Sequence, residues 1–197
     1  PLHCEFLRYA RRHPFSSVMQ DSSGSAVSNI SLLSRSLALR NYLQMNAASD
    51  EAYIGIILPS CVAGSISGLA VMYADKIPVF LNFTASEDAL AHAVKKCNMK
   101  RILSSKKFMS KIKVKLPDNV EVIYLEDLAR TMPAACKRKA FFSILMPAFI
   151  SSRRLFPKTT KDINAVATVL FSSGSTGTPK GVVLTHHNFT SNLSGLL

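Results

Sequence analysis

Apolar residues along this chain recur in two rhythms, and the switches between them mark its elements. From Leu2 to Arg12, Phe6, Leu7 and Ala10 share one side of a helical wheel with arginines opposite. His13-Pro14 stops that helix, because the residue before proline avoids helical backbone. Gln20 to Gly24 reads as a turn. From Asn29 to Met45 the positions Leu32, Leu33, Leu37, Leu39 and Leu43 predict a second helix, with Ser28 or Asn29 as its cap. Ala52 to Leu58 is a continuous apolar run closed by Pro59, which suits a buried strand. Small and apolar residues from Cys61 to Tyr73 (Ala63, Gly64, Ile66, Gly68, Leu69, Met72) predict a helix lying close against a sheet.

Ile77 to Phe83 is the next strand, and Ser86 followed by Glu87 and Asp88 starts a helix that runs to Lys96 and Cys97. Arg101 to Ser104 reads as a short strand, Lys106 to Lys113 as a lysine-rich helix, and Pro117-Asp118-Asn119 as the turn into a strand from Val120 to Leu125. This βαβαβαβ alternation predicts an α/β fold: a doubly wound, largely parallel sheet with flanking helices. Ala129 to Lys161 breaks the rhythm, being basic at both ends and apolar in the middle (Phe141, Phe142, Ile144, Leu145, Met146, Phe149). The simpler reading is a helix interrupted at Pro147 and packed on the rest of the chain. The other is a surface helix in a membrane interface with snorkelling Lys and Arg flanks. Ala165 to Phe171 and Gly181 to Thr185 are two further strands, and Thr185 and Asn188 are both candidate caps for a last helix carrying Phe189, Leu193 and Leu196. The expected organisation is an α/β subdomain over 1–128, a basic-apolar helical connector over 129–161, and the start of a second α/β subdomain over 162–197.

Composition narrows the class. An apolar content of 48% and a mean hydropathy of +0.18 over 197 residues suit a filled globular core. The chain opens on Pro1 and stops at Leu196-Leu197 inside an element, so a segment of a longer protein, incomplete at its C-terminus, is expected. Cys4, Cys61, Cys97 and Cys136 lie far apart with no C-x-x-C, and no secretory signal opens the chain, so free thiols in the cytoplasm are expected. The longest apolar run, Phe141 to Ile150, falls well short of the ~20 residues a membrane span needs. The net charge of +12 concentrates between Lys95 and Lys115 and between Lys137 and Lys161. It reads either as a solvated basic face or as a surface for an acidic partner: a nucleotide, an acidic carrier protein or an anionic membrane. No nucleic-acid motif accompanies the lysines, so nucleic acid is not expected.

The candidate chemistry sits between the last two strands. Ser172-Ser173-Gly174-Ser175-Thr176-Gly177-Thr178-Pro179-Lys180-Gly181 holds three glycines, five hydroxyl side chains, one proline and one lysine in ten residues. Glycines let backbone N–H groups approach an anion, hydroxyls donate further hydrogen bonds and the lysine supplies charge, so the stretch reads as a polyphosphate grip. The Walker A spacing nearly fits from Gly174, but Pro179 stands where its second glycine belongs and Gly181 where its magnesium-binding hydroxyl belongs. The segment after Lys180 also reads as a strand, not the helix whose N-terminus faces the phosphates in that class. G-x-G-x-x-G is absent. A plain structural hairpin accounts for the glycines and serines, though not for the lysine behind proline.

Residues Val169 to Lys180 satisfy throughout the pattern of the adenylate-forming (AMP-binding) superfamily: an apolar residue, two variable ones, two small ones, then Gly, Ser/Thr, Ser/Thr/Glu, Gly, any residue, Pro and Lys. The chain therefore resembles the first part of the large N-terminal domain of those enzymes. Asp75-Lys76-Ile77-Pro78-Val79-Phe80-Leu81-Asn82-Phe83-Thr84 resembles a segment of bacterial acyl-carrier-protein synthetases. So do Ile57-Leu58-Pro59-Ser60, Val122 to Asp127 and Arg11-Arg12-His13-Pro14, and in that branch the domain is often fused to a 2-acylglycerophosphoethanolamine acyltransferase. Thr176 departs from it, since close relatives often carry Glu there.

The resemblance implies an acid–thiol ligase that uses ATP and Mg2+. A fatty acid would attack the α-phosphate, giving acyl-AMP and pyrophosphate, and the thiol of acyl carrier protein or coenzyme A would take the acyl group, with a link to phospholipid reacylation. By position, Ser173, Ser175, Thr176 and Thr178, with the N–H groups of Gly174 and Gly177, would hold the β- and γ-phosphates. Ser172 would approach the metal, and Lys180 and Thr176 would be the catalytic residues. His186 and His187 read as packing or hydrogen-bonding residues in preference to general bases, and Asn82 and Thr84 as a strand-to-helix turn in preference to the rim of a ligand crevice. Adenine, ribose and carboxylate sites would lie downstream of Leu197, leaving this segment alone inactive. The alternatives are a coenzyme A ligase for another carboxylate, or a truncated, non-catalytic nucleotide- or lipid-interaction protein. The location implied is cytoplasmic, with the inner face of the membrane as a place of peripheral contact.

Overall fold

The computed structural model describes residues 1–21, 24, 26–46, 50–112, 114–146, 162–171 and 179–194. Helix α1 (Leu2–Arg12) has Glu5 in its first turn and Arg11 and Arg12 in its last, complementing the helix dipole, and buries His3, Cys4, Leu7 and Ala10. Strands β1 (Ser17–Gln20) and β2 (Ala26–Ser28) pair antiparallel, where the sequence pattern predicts only a turn over Gln20–Gly24. Gly24 takes φ +78 there, a left-handed conformation that glycine adopts freely. Ser28 ends β2 and caps α2 (Asn29–Met45), its hydroxyl accepting from the Ser31 N–H. Helix α2 buries residues on nearly every side because α1, α3 and α7 all pack on it.

The remaining elements build one six-stranded sheet of order β6-β5-β3-β4-β7-β8. Its strands are β3 (Tyr53–Ile57), β4 (Ile77–Phe80), β5 (Arg101–Ser104), β6 (Glu121–Tyr124), β7 (Val166–Phe171) and β8 (Gly181–Thr185). All neighbours run parallel except β8, which is antiparallel to β7 and makes the sheet mixed at that edge. The connecting helices are α3 (Val62–Tyr73), α4 (Glu87–Lys96), α5 (Lys106–Met109), α6 (Leu125–Thr131) and α7 (Ala134–Leu145), with α8 (His186–Ser194) after β8.

Side-chain alternation splits the core between the two faces of the sheet. Ile54, Ile56, Leu103 and Ile123 face Leu39 and Leu43 of α2, Ala70 and Val71 of α3 and Leu128 of α6. Ile57, Val79, Ile102, Val169 and Phe171 face Leu90, Ala93 and Val94 of α4, with Phe108 and Met109 of α5 beside them. Gly68 explains the close seating of α3: a Cβ there would lie 3.0 Å from Phe80 Cζ.

Several boundaries differ from the periodicity. β4 stops at Phe80, not Phe83, because Asn82 Oδ1 accepts from the Thr84 N–H (2.9 Å) and Thr84 Oγ1 (2.8 Å) and turns the chain. Helix α5 ends at Met109, well before Lys113. Leu125 belongs to α6, a helix that the apolar pattern does not separate from the preceding strand. α7 ends at Leu145, with Met146 extended (ψ 145) as the residue before Pro147. The remainder of the predicted connector, 147–161, lies outside the described residues. Among the described residues no helix is long and apolar enough to cross a membrane.

A polar cluster pins the entry ends of three parallel strands. Arg101, which opens β5, donates Nε to both Glu51 carboxylate oxygens at 3.0 Å and Nη2 to Oε2, and the two side chains are 5% and 0% exposed. Lys76, just before β4, donates its ammonium to the Glu51 carbonyl. Removing one member of a buried pair strands the other charge away from water. Arg101→Leu is therefore expected to cost about 3–5 kcal/mol in urea unfolding, with Glu51→Leu/Arg101→Leu recovering most of it. A single-variant loss below about 1 kcal/mol would contradict the pinning role.

Candidate functional site

The two strands that frame the predicted phosphate loop are in place. β7 and β8 are paired from Val166↔Thr185 to Phe171↔Gly181, so the nine residues 172–180 leave and re-enter the sheet at one closed rung. Ser172, Ser173, Gly174, Ser175, Thr176, Gly177 and Thr178 lie outside the described residues. Pro179 is buried and Lys180 exposed at the exit of the loop, one residue before β8. Gly181 seats the rung closely: a Cβ there would come within 3.3 Å of both Phe171 Cζ and Val169 Cγ1, tighter than ordinary contact. The aromatic ring of Phe171 thus closes against the first residue of β8.

Position on the sheet gives the loop its chemical setting. β7 is parallel to β4, with Val79↔Val169 and Phe80↔Leu170 in register. The loop therefore rises from the same carboxyl edge as Leu58-Pro59-Ser60 after β3 and Leu81-Asn82 after β4. In open α/β sheets ligands bind outside that edge, where successive connections depart to opposite faces. β3 feeds α3 on one face and β4 feeds α4 on the other, so the switch falls between them. A cavity of about 390 Å³ opens there, walled by Gln20 and Asp21, by Pro59, Ser60 and Cys61, and by Gly64, Ser65 and Phe80. Asp21 lines it and accepts from the Val62 N–H at the start of α3 (3.4 Å).

Two further features stiffen this edge. Glu126, at the start of α6, accepts from Ser105 Oγ (2.6 Å) and from the N–H groups of Lys106 (3.0 Å) and Lys107 (3.3 Å). Burial works against its ionisation, but those hydrogen bonds outweigh it and hold the carboxyl down to about 2. Lys106 itself pairs with Asp127 at 2.6 Å, so the basic run is partly engaged within the molecule. Asn82 and Thr84 form the turn described above.

The histidines lie at the other end. His186 follows β8, whose five residues at about 3.4 Å each separate it from the loop by about 17 Å. Its ring packs edge-on against His3, centroids 4.9 Å apart, and both line a cavity of about 230 Å³ with Asp75 and Lys76 at the strands' entry ends. His187 is exposed on the same turn of α8. Thr185 and Asn188, each a candidate cap from sequence, act together. The Thr185 N–H and hydroxyl donate to Asn188 Oδ1 (2.8 and 2.9 Å), and the Asn188 N–H donates to Thr185 Oγ1 (3.3 Å). Sequence reasoning missed the Glu126 clasp and the Asp21 contact, whose partners lie about 20 and 40 residues away along the chain. No short-range pattern marks such pairs.

The loop's donor set of hydroxyls, glycine N–H groups and one ammonium suits an anion with several oxygens, which fits a nucleotide polyphosphate. No group of three or more metal-ligating side chains occurs among the described residues. A magnesium ion in this setting would be held mainly by phosphate and water, with Ser172 as the protein oxygen.

Comparison with known proteins agrees with the framework. The sequence model of AMP-binding enzymes matches residues 6–197. The chain is 30% identical over 196 residues to a nonribosomal peptide synthetase, imqB, of Aspergillus flavus, covering 97% of this chain and 5% of that protein. It is 25% identical over 181 residues to a long-chain-fatty-acid–CoA ligase of Bacillus subtilis, covering 82% and 32%. The crystal structure of a fatty acyl-adenylate ligase from L. pneumophila in complex with acyl adenylate and pyrophosphate superposes with a TM-score of 0.72 at 20% identity. That match covers 98% of this chain and 31% of that one, and it shows the shared fold. The chain thus spans at most about a third of these relatives.

Burial lowers His3 to about 3, with His186 adding to it, and burial lowers His186 to about 4. Both folded values lie below the ordinary 6.5, so the unfolded chain binds more protons between them. Stability is held above pH 6.5 and falls as the pH drops toward 4. The urea midpoint is expected to decline from about pH 7 to about pH 5, before Glu126 and other carboxylates titrate, and to decline less in His3→Gln/His186→Gln. A flat profile for the unaltered protein in that window would contradict the burial of neutral imidazoles.

Proposed function

The chain belongs to the AMP-binding enzyme family, and on that footing we propose that it is the N-terminal part of an ATP-dependent ligase that adenylates a fatty acid and passes the acyl group to a thiol. The observation that carries this reading is the loop 172–180, rich in anion donors and set at the carboxyl edge of the sheet between Phe171 and Gly181. A fatty-acid substrate is supported by the Bacillus subtilis relative and by the fold shared with the fatty acyl-adenylate ligase.

In the first step a carboxylate oxygen attacks the α-phosphorus of ATP. The bond to the β-phosphate's bridging oxygen breaks, and pyrophosphate leaves with the electron pair. In the second the thiol sulfur attacks the acyl carbon, AMP leaves with the pair from the broken anhydride bond, and the thiol proton passes to solvent. The protein supplies position and charge and no nucleophile. Ser173, Ser175, Thr176 and Thr178, with the N–H groups of Gly174 and Gly177, hold the β- and γ-phosphates. Lys180, with Thr176, offsets the charge that grows on departing pyrophosphate. Magnesium, when bound, would have Ser172 as its protein ligand and would supply positive charge to the phosphates.

Acyl carrier protein is the acceptor favoured by the basic surface and by the likeness to bacterial acyl-carrier-protein synthetases. Coenzyme A is the acceptor named for the Bacillus relative. Use of the acyl group in lysophospholipid reacylation extends the carrier-protein reading. Cys4, Cys61, Cys97 and Cys136 form no disulfide, which suits a cytoplasmic setting.

The full-length protein is expected to catalyse ATP–pyrophosphate exchange that depends on added fatty acid. Lys180→Ala is expected to lower that exchange about 10²–10³-fold. Residues 1–197 alone should give no exchange. Full exchange in Lys180→Ala would overturn the assignment of the loop, exchange by the isolated segment would overturn its dependence on the rest of the protein, and acyl transfer assayed with carrier protein and with coenzyme A identifies the acceptor.

A further inference from the structure

Helix α7 is fastened to the molecule through a narrow strip. Cys136 and Ala140 are its buried residues, and Ile144 beside them is half-buried. Polar anchors hold its backbone: Asn41 Nδ2 donates to the Cys136 carbonyl (2.9 Å), and Arg11 Nη2 donates to the carbonyls of Ser143 (2.7 Å) and Ile144 (3.1 Å). Because the seated residues are small, the bulky ones point away. Phe141, Phe142 and Leu145 are 58%, 58% and 63% exposed. At about 100° per residue the three share one arc opposite the buried strip. Lys137 and Lys139 border that arc, Arg138 lies within it one turn nearer the N-terminus, and all three are exposed. Helix α7 carries no Asp or Glu.

A surface helix ordinarily turns its polar residues outward. Here the outward face combines a three-residue apolar patch with a cationic collar, and the collar selects the occupant. A dry protein interface would set Lys137 and Lys139 against the rim of its apolar core, and lysine is depleted at such interfaces. A second copy of the chain packed α7 to α7 would bring like charges together. At a bilayer, long cationic side chains reach up to lipid phosphates while neighbouring apolar groups enter the acyl boundary. At about 1.5 Å per residue α7 is about 18 Å long, too short to cross a hydrocarbon core of about 30 Å.

We propose that α7 is a peripheral docking helix for an anionic bilayer surface, with Phe141, Phe142 and Leu145 in the acyl boundary and Lys137, Arg138 and Lys139 at the phosphates. α7 packs on α2 as the simpler reading of the basic-apolar stretch expects, and the proposal adds the interfacial reading for its outward face alone. The proposal does not depend on the ligase reading, because its test measures binding alone.

The test is co-sedimentation of the full-length protein with phosphatidylcholine vesicles, with and without phosphatidylglycerol, at low and high salt. Binding is expected only with phosphatidylglycerol and is expected to weaken in high salt. Each of Lys137→Gln, Arg138→Gln and Lys139→Gln should lower the affinity about fivefold. Phe141→Ser/Phe142→Ser should lower it at least about tenfold. Unchanged thermal melts would show that these exposed substitutions leave the fold intact. No binding to anionic vesicles, equal binding to neutral ones, or full binding by Phe141→Ser/Phe142→Ser overturns the proposal. So does self-association that is lost in that variant while vesicle binding is absent.

Discussion

The seam between β4 and β7 holds the molecule's chemistry to its scaffold. β4 contains Pro78, which has no N–H to give, and yet lies between two strands, a place where proline is rare. Thr168 of β7 meets it: its buried hydroxyl donates to the Pro78 carbonyl at 2.7 Å, beside the register pairs Val79↔Val169 and Phe80↔Leu170. This seam aligns β7 with the parallel strands and carries β8 with it. Without it, the loop 172–180 would leave a detached hairpin instead of the carboxyl edge of a packed sheet.

Polarity is distributed unevenly between the two ends of that sheet. The entry end is closed by buried groups: Glu51 with Arg101 and Lys76, and the neutral histidines His3 and His186. At the carboxyl edge Glu126 clasps the start of α5, Asp21 meets the start of α3 and Asn82 closes a turn, while the buried Ser104 hydroxyl donates to the Ile57 carbonyl. Buried pairs thus brace the entry end, and side-chain acceptors brace the turns at the carboxyl edge.

Much of this was legible in local sequence. Ser28, Ser86 and Thr185 cap helices where serine or threonine precedes an apolar-periodic run. β3 coincides with an uninterrupted apolar run, β5 with the short strand expected at Arg101–Ser104, and the ordered match from Val169 to Lys180 points to the family in which the chain belongs. The parts that stayed hidden were set by tertiary contact. α6 starts at Leu125 without a side-chain cap, directly from β6, so no local signal separates strand from helix. Glu51 and Arg101 are fifty residues apart, and nothing near either announces the pair. The antiparallel β7–β8 pair is the hairpin that two strands around a glycine-rich loop suggest, but its seat beside β4 is not carried by periodicity. The outward face of α7 emerged only once Cys136 and Ala140 were seen to be the seated side.

The proposed grip of the β7–β8 loop on the outer phosphates of ATP is open to direct test. Hydrogen exchange of the full-length protein, read on peptides covering Val169–Val183, addresses it without requiring turnover. Exchange in that stretch should slow with ATP or pyrophosphate and change little with AMP. Equal protection by AMP, or none by pyrophosphate, would contradict the grip.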